Sequence, residues 1–292
     1  EYEQFVSSFY LLDFRETEFS TQEIKEAGIS VKLPKNSYKE SENYDNYPYD
    51  KETYQITATD TSNTTVFLIE AMEMSPYYEI ENIDTFLVNL QESAAEDGGE
   101  VRNLEFVPYQ EYPSLHFDLF NSEKTSVISK MQIILVENWV IYSVTHLPRE
   151  LNNTAYSDLF LNSIKIDPSF KRKNPIGSKI NIIAKDLSTT DDKIYESLQN
   201  AIYNYEIKKE NLPIIHNILK KEIPLDTSSV FYYSIKEQLI EKLEKINNEN
   251  TIPTLENIFS SSTMAEQLAI LNTVAHVEKN TLETYWKLIE KI

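Results

Sequence analysis

The spacing of apolar residues changes once along this chain, from every second position to every third or fourth, and that change limits the fold more than any other feature. Between residues 29 and 147 the period is mostly two. "ETYQITAT" (52–59) sets Tyr54, Ile56 and Ala58 against Thr53, Gln55 and Thr57. "VISKMQII" (127–134) sets Val127, Met131 and Ile133 against Ile128, Lys130 and Gln132. Alternation of this kind predicts strands with one buried face. "TTVFLIEAMEM" (64–74) is nearly continuous in apolar residues, as a central strand is, and "LEFVPY", "SLHFDLF" and "NWVIYSVTH" add further strands. Glu137-Asn138 is placed to join two of them in a tight hairpin, so the sheet reads as antiparallel. Two helices interrupt it. One carries Ile83, Phe86, Leu87 and Leu90 and stops at Gly98, and the other carries Leu151, Tyr156, Leu159, Phe160 and Ile164.

From Asp191 onward the period is helical. "NLPIIHNIL" (211–219), "TIPTLENIF" (251–259) and "TLETYWKLI" (281–289) echo one another, and each follows another amphipathic stretch, at 194–205, 234–246 and 264–277. Pro213 and Pro253 fit the first turn of a helix, and Thr263 to Glu266 and Asn280 to Glu283 have capping-box spacing. Six helices in three pairs predict a short HEAT-like curl, with a compact bundle as the other arrangement. Between the halves, "PSFKRKNPIGSKINIIAKDLSTTDD" reads as a linker with one short extended piece. The expected division is a closing segment of an upstream repeat at 1–13, an α+β domain at 14–168, a linker at 169–190 and an α-helical repeat domain at 191–292. The fold class is therefore α+β, an antiparallel β-sheet covered by helices, followed by an all-α domain of antiparallel helix pairs.

An entry strand ending in "ISVKLP", a long hairpin, a helix, four strands ending in "NWVIYSVTHLP" and a last helix running into "FLNSIKI" together resemble the PsbP/Mog-type domain over residues 14–168. The resemblance implies an α+β fold shared with photosystem II PsbP subunits, a Ran-binding import factor and bacterial envelope proteins. It also implies a role in binding other proteins and an extracytoplasmic location, periplasmic or membrane-anchored. "FVSSFYLLD" (5–13) repeats the closing phrase "FLNSIKID" (160–167). Residues 1–13 are thus either the end of a preceding domain of this kind or an ordinary helix and strand of the same one.

Composition narrows the partners. The net charge is -20, and it is unevenly placed: residues 1–170 hold 11 Lys and Arg against 30 Asp and Glu, residues 171–292 hold 16 against 17. That field repels phosphate backbones, so nucleic acid is not an expected partner, and an unknown protein is. No window is apolar enough for a transmembrane segment. With 0 Cys and 4 Gly, none of them in a phosphate-binding loop or nucleophile elbow, neither a cofactor nor a metal is expected. The chain reads as non-enzymatic.

Two constellations remain. "NYDNYPYDKETY" interleaves Tyr44, Tyr47, Tyr49 and Tyr54 with Asp45 and Asp50, and its rings either dock a cationic or sugar-like partner or lie back on the domain's own core. His116 and Asp118 project from one face of a strand as an acid/base pair for a weak hydrolase, with His146 expected on an adjacent strand. The alternative is a solvated polar face. Tyr285 and Trp286, in the last helix, are expected in the core, the alternative being that they cap the array against solvent or mark an interface.

Overall fold

The computed structural model describes residues 17–43, 52–95, 99–120, 126–152, 154, 156–224, 233–246, 248–276 and 281–291. It divides into two units, and each is built from more than one stretch of chain. The first comprises 17–43, 52–73 and 82–174, and the second 74–81 and 175–291.

In the first unit, β1 (Phe19–Ile24) and β2 (Ile29–Pro34) are joined by a single 3-10 turn that ends at Gly28, whose φ is 64°. They form a three-stranded antiparallel sheet with β10 (Lys165–Ile166), in the order β1-β2-β10. The larger sheet holds β3 (Tyr38–Asn43), β4 (Glu52–Asp60), β5 (Thr65–Glu73), β6 (Glu100–Phe106), β7 (Ser114–Phe120), β8 (Val127–Val136) and β9 (Trp139–Pro148). Its order is β3-β4-β5-β9-β8-β7-β6, with every pair antiparallel. Helix α1 (Ile83–Ala94) packs on β7 and β8, and α2 (Tyr156–Leu161) packs on β9 and β2. One face of the sheet, with Ile56, Phe67, Ile69, Ile134 and Ile141, shares a core with Val31 and Leu33 of the small sheet and Phe160 of α2. This is the α+β class expected from the alternation.

The expected hairpin at Glu137-Asn138 is present, with Val136 paired to Trp139. Glu137 has a φ of 54° and Asn138 does not share the positive sign, which is the pattern of a type II′ turn with a side chain in the place glycine favours. Glu137→Gly is accordingly expected to raise the unfolding free energy by about 1 kcal/mol, since relief of the strained φ exceeds the added freedom of the unfolded chain. Urea denaturation checks this, and a loss of stability would contradict it.

The second unit is helical: α3 (Ile180–Asp186), α4 (Asp192–Asn204), α5 (Leu212–Leu219), α6 (Ile235–Ile246), α7 (Ile252–Phe259), α8 (Met264–His276) and α9 (Thr281–Ile289). Helix α4 packs on α6, α6 on α8, and α9 on both α7 and α8. Pro213 and Pro253 lie at the first positions of α5 and α7. The Thr263 box forms as its spacing predicts: Thr263 N donates to Glu266 Oε2 at 3.0 Å, and Glu266 N donates to Thr263 Oγ1 at 3.2 Å. Ser234 and Glu237 form a second box at the start of α6.

Two segments depart from the sequence reading. The stretch assigned to a linker contains α3, because Ile180, Ile183 and Leu187 share one helical face and are all buried in the helical core. Residues 74–81, placed by their position in sequence within the α+β domain, pack in the helical unit instead. There Tyr77 is buried and donates from its hydroxyl to Asp186 Oδ2 at 3.1 Å, and Ile80 N donates to the Pro175 carbonyl at 3.0 Å. Lys208 contacts both Glu79, at 3.3 Å, and Glu81, and these carboxylates hold its ammonium pKa above the usual lysine range.

Candidate functional site

Of the tyrosine-rich stretch, Tyr44, Asp45, Tyr47, Tyr49 and Asp50 lie outside the described residues. Tyr54 is on β4, opposite Ser41 and Ala71. It is half-buried against the core, with its ring 6.3 Å from that of Trp139, because it shares the inward parity of Ile56 and Ala58.

His116 and Asp118 do share a face of β7, yet they do not bond to each other among the described residues. Gln132 Nε2 approaches His116 Nε2 at 2.9 Å, and the Asp118 carboxylate accepts from Asn103 Nδ2 at 2.7 Å. Asn103 reaches it from a bulge in β6, where its φ is 53°. Burial pushes the His116 imidazole below its ordinary pKa, against an opposing pull from Glu105. A serine that the sequence reading passed over, Ser114, lies 3.3 Å from His116 Nε2. Its hydroxyl donates to the Val107 carbonyl and it is 3% exposed. His146 is on the opposite face. The register pairs His116 with Gln132 and Gln132 with Ser143, so an even-numbered residue of β9 points away, and the His146 ring meets Ser129 Oγ at 2.7 Å. Among the described residues no group of three or more His, Cys, Asp and Glu is placed to hold a metal ion.

A cleft of about 410 Å³ opens on the small sheet, lined by Glu23, Lys25, Ser30, Lys165, Asp167 and Phe170, among others. Its size suits a small ligand. The two carboxylates and two ammoniums along it cancel, so it carries no net charge to select an anion or a cation.

The helical unit offers a different kind of surface. On α8, Met264 and Leu268 are 76% and 57% exposed; on α9, Leu282 and Trp286 are 75% and 59% exposed. Each pair is spaced i, i+4 and so lies on one side of its helix. The inward side of α9 carries Leu288, fully buried, with Tyr285 and Ile289 packed beside it. The expectation of core packing thus holds for Tyr285 and fails for Trp286, since one residue further along a helix turns the side chain by about 100°. The two rings still touch, edge to face at 6.1 Å. Two adjacent helices therefore each present two large apolar side chains to solvent. No helix among the described residues is long and apolar enough to cross a membrane.

No protein-family model matches the chain, and no curated protein matches it. Among solved structures, it is similar to the solution structure of cyanobacterial PsbP (CyanoP) from Synechocystis sp. PCC 6803. The likeness has a TM-score of 0.38 and 9% sequence identity, and covers 55% of this chain and 99% of that one.

Proposed function

We propose that this chain is a non-enzymatic protein-binding module, a scaffold of the bacterial envelope, that docks partners through its helical unit. The observation that carries the reading is the exposure of Met264 and Leu268 on α8 and of Leu282 and Trp286 on α9. An exposed tryptophan flanked by aliphatic side chains is the kind of anchor that supplies most of the energy in protein interfaces. The helices of residues 191–292 are read as HEAT-like units, an arrangement used for extended binding surfaces, and the packing of α4 on α6, α6 on α8 and α8 on α9 supports that reading. The extracytoplasmic setting rests on the resemblance to the PsbP/Mog-type domain that "ISVKLP", "NWVIYSVTHLP" and "FLNSIKI" carry.

The test compares the full chain with its Leu268→Ser/Trp286→Ser variant as baits for cross-linked capture of proteins from source-cell extract. Loss of specific captured bands in the variant, at unchanged circular dichroism and melting temperature, supports the reading. Identical capture by both baits would overturn it.

A further inference from the structure

We propose that the occupant of this surface is a second copy of the chain, held by an antiparallel pairing of α9 with α9 of the partner about a two-fold axis. The proposal rests on the protein-binding reading above and names its partner. Three observations carry it.

The first is the arrangement of the outer face of α9. Leu282, Glu283, Trp286 and Lys287 are all exposed, and Glu283 and Lys287 already form an i, i+4 ion pair at 2.7 Å. When two identical helices cross antiparallel with their centres near Thr284 and Tyr285, position 282 of one faces position 286 of the other, and 283 faces 287. Leu282 then packs against the partner's Trp286, and Glu283 meets the partner's Lys287, each contact occurring twice. A self-complementary patch of this kind is what an isologous interface requires. A surface built for an unrelated protein has no reason to match itself.

The second is charge. The whole chain carries -20, but residues 264–291 hold three Lys against four Glu. Two acidic molecules can therefore approach through this region with little local repulsion, because charges more than about 8 Å apart are largely screened at physiological salt. The third is area. A lasting interface buries about 1,000 Å² or more in total, beyond what one short helix pair supplies, and the exposed Met264 and Leu268 of the neighbouring α8 are further apolar surface available to it.

Sedimentation velocity on the full chain tests this. The wild type is expected to pass from monomer to dimer between about 1 and 100 µM, and Trp286→Ser to weaken the dimer at least thirty-fold, roughly the loss of one anchor side chain. Glu283→Lys is expected to weaken it by setting like charges across the axis, and the double swap E283K/K287E to restore it. A wild type that stays monomeric at about 100 µM, or a double swap no better than the single one, overturns the second copy as occupant. The capture assay reads separately. A monomeric wild type whose captured bands still depend on Leu268 and Trp286 overturns self-pairing and leaves the protein-binding reading standing, whereas loss of both removes each.

Discussion

Asp60→Ala is expected to cost the first unit about 3 kcal/mol of stability at pH 7, because the Asp60 carboxylate is a hub for donors from three parts of the chain. It is 1% exposed. Ser62 donates to it from both its backbone N, at 2.9 Å, and its hydroxyl, at 2.6 Å. Asn63 Nδ2 donates at 3.4 Å, and the hydroxyls of Thr17 and Tyr156 donate as well. The β4–β5 turn, the approach to β1 and helix α2 thus all meet at one side chain. Alanine would leave several of these donors buried without an acceptor.

The same hub sets a pH dependence. Burial alone would raise the Asp60 carboxyl, but the bonds from Ser62 and Thr17 outweigh it and hold its pKa below the ordinary aspartate value. A depressed folded-state pKa means that the charged form stabilises the fold fully above the unfolded-state value, near 3.9, and that this contribution drains away as pH falls through the folded-state value. Asp60→Asn removes the charge at every pH. The stability gap between wild type and Asp60→Asn should therefore be constant from pH 7 to about 5 and shrink below about pH 4, read from urea midpoints. A gap that stays level down to about pH 3 would contradict the assignment.

Gly28→Ala is expected to destabilise by about 2–4 kcal/mol, from two causes. The φ of 64° places the residue in the left-handed region, which costs a side-chain-bearing residue roughly 1 kcal/mol or more. An added Cβ would also stand 2.7 Å from both Cβ and Cγ of Phe170. The Phe170 Cβ is set by the backbone and cannot swing aside, so losing the ring would relieve the Cγ contact but not this one. Phe170 is itself held down. The Arg172 guanidinium lies 5.0 Å from its ring and donates to the carbonyls of Asp167, at 3.0 Å, and Ala27, at 2.8 Å. Adding Phe170→Ala to Gly28→Ala should return part of the loss, making the pair clearly non-additive. A Gly28→Ala single variant within about 0.5 kcal/mol of wild type would show that the 25–28 turn is softer than its geometry implies.

The antiparallel sheet was legible in β4 and β5, where buried and less buried positions alternate, and in β8 and β9 from nearly continuous apolar runs, since those central strands are buried on both faces. The two-residue hairpin at Glu137-Asn138 then fixes the register by counting: Val136 opposite Trp139 puts Ser129 opposite His146 and Gln132 opposite Ser143. That count fixes the face of His146 relative to β8, but its face relative to His116 also depends on the β7–β8 register, His116 opposite Gln132, which no two-residue turn sets. The failure of the His116 and Asp118 pairing was not legible. It depends on Asn103, which a bulge on a neighbouring strand turns toward Asp118. Trp286 shows the limit for a nine-residue helix: a wheel of so few positions leaves the inward direction to be set by packing on α7 and α8. Tyr77 lies further from reach, since "MSPYYEIE" has no period to show that its burial partners lie a hundred residues downstream.

That last segment bears on how the molecule is made. Ribosomes add about 5–20 residues per second, so residues 74–81 emerge roughly 5–20 s before Ile180 and the helices that enclose Tyr77 exist at all. During that interval β5 can already be pairing with β4 while the segment that follows it, residues 74–81, waits for the side chains that bury Tyr77. Vectorial synthesis cannot finish the two units one after the other: the helical one closes around a piece of chain delivered long before it.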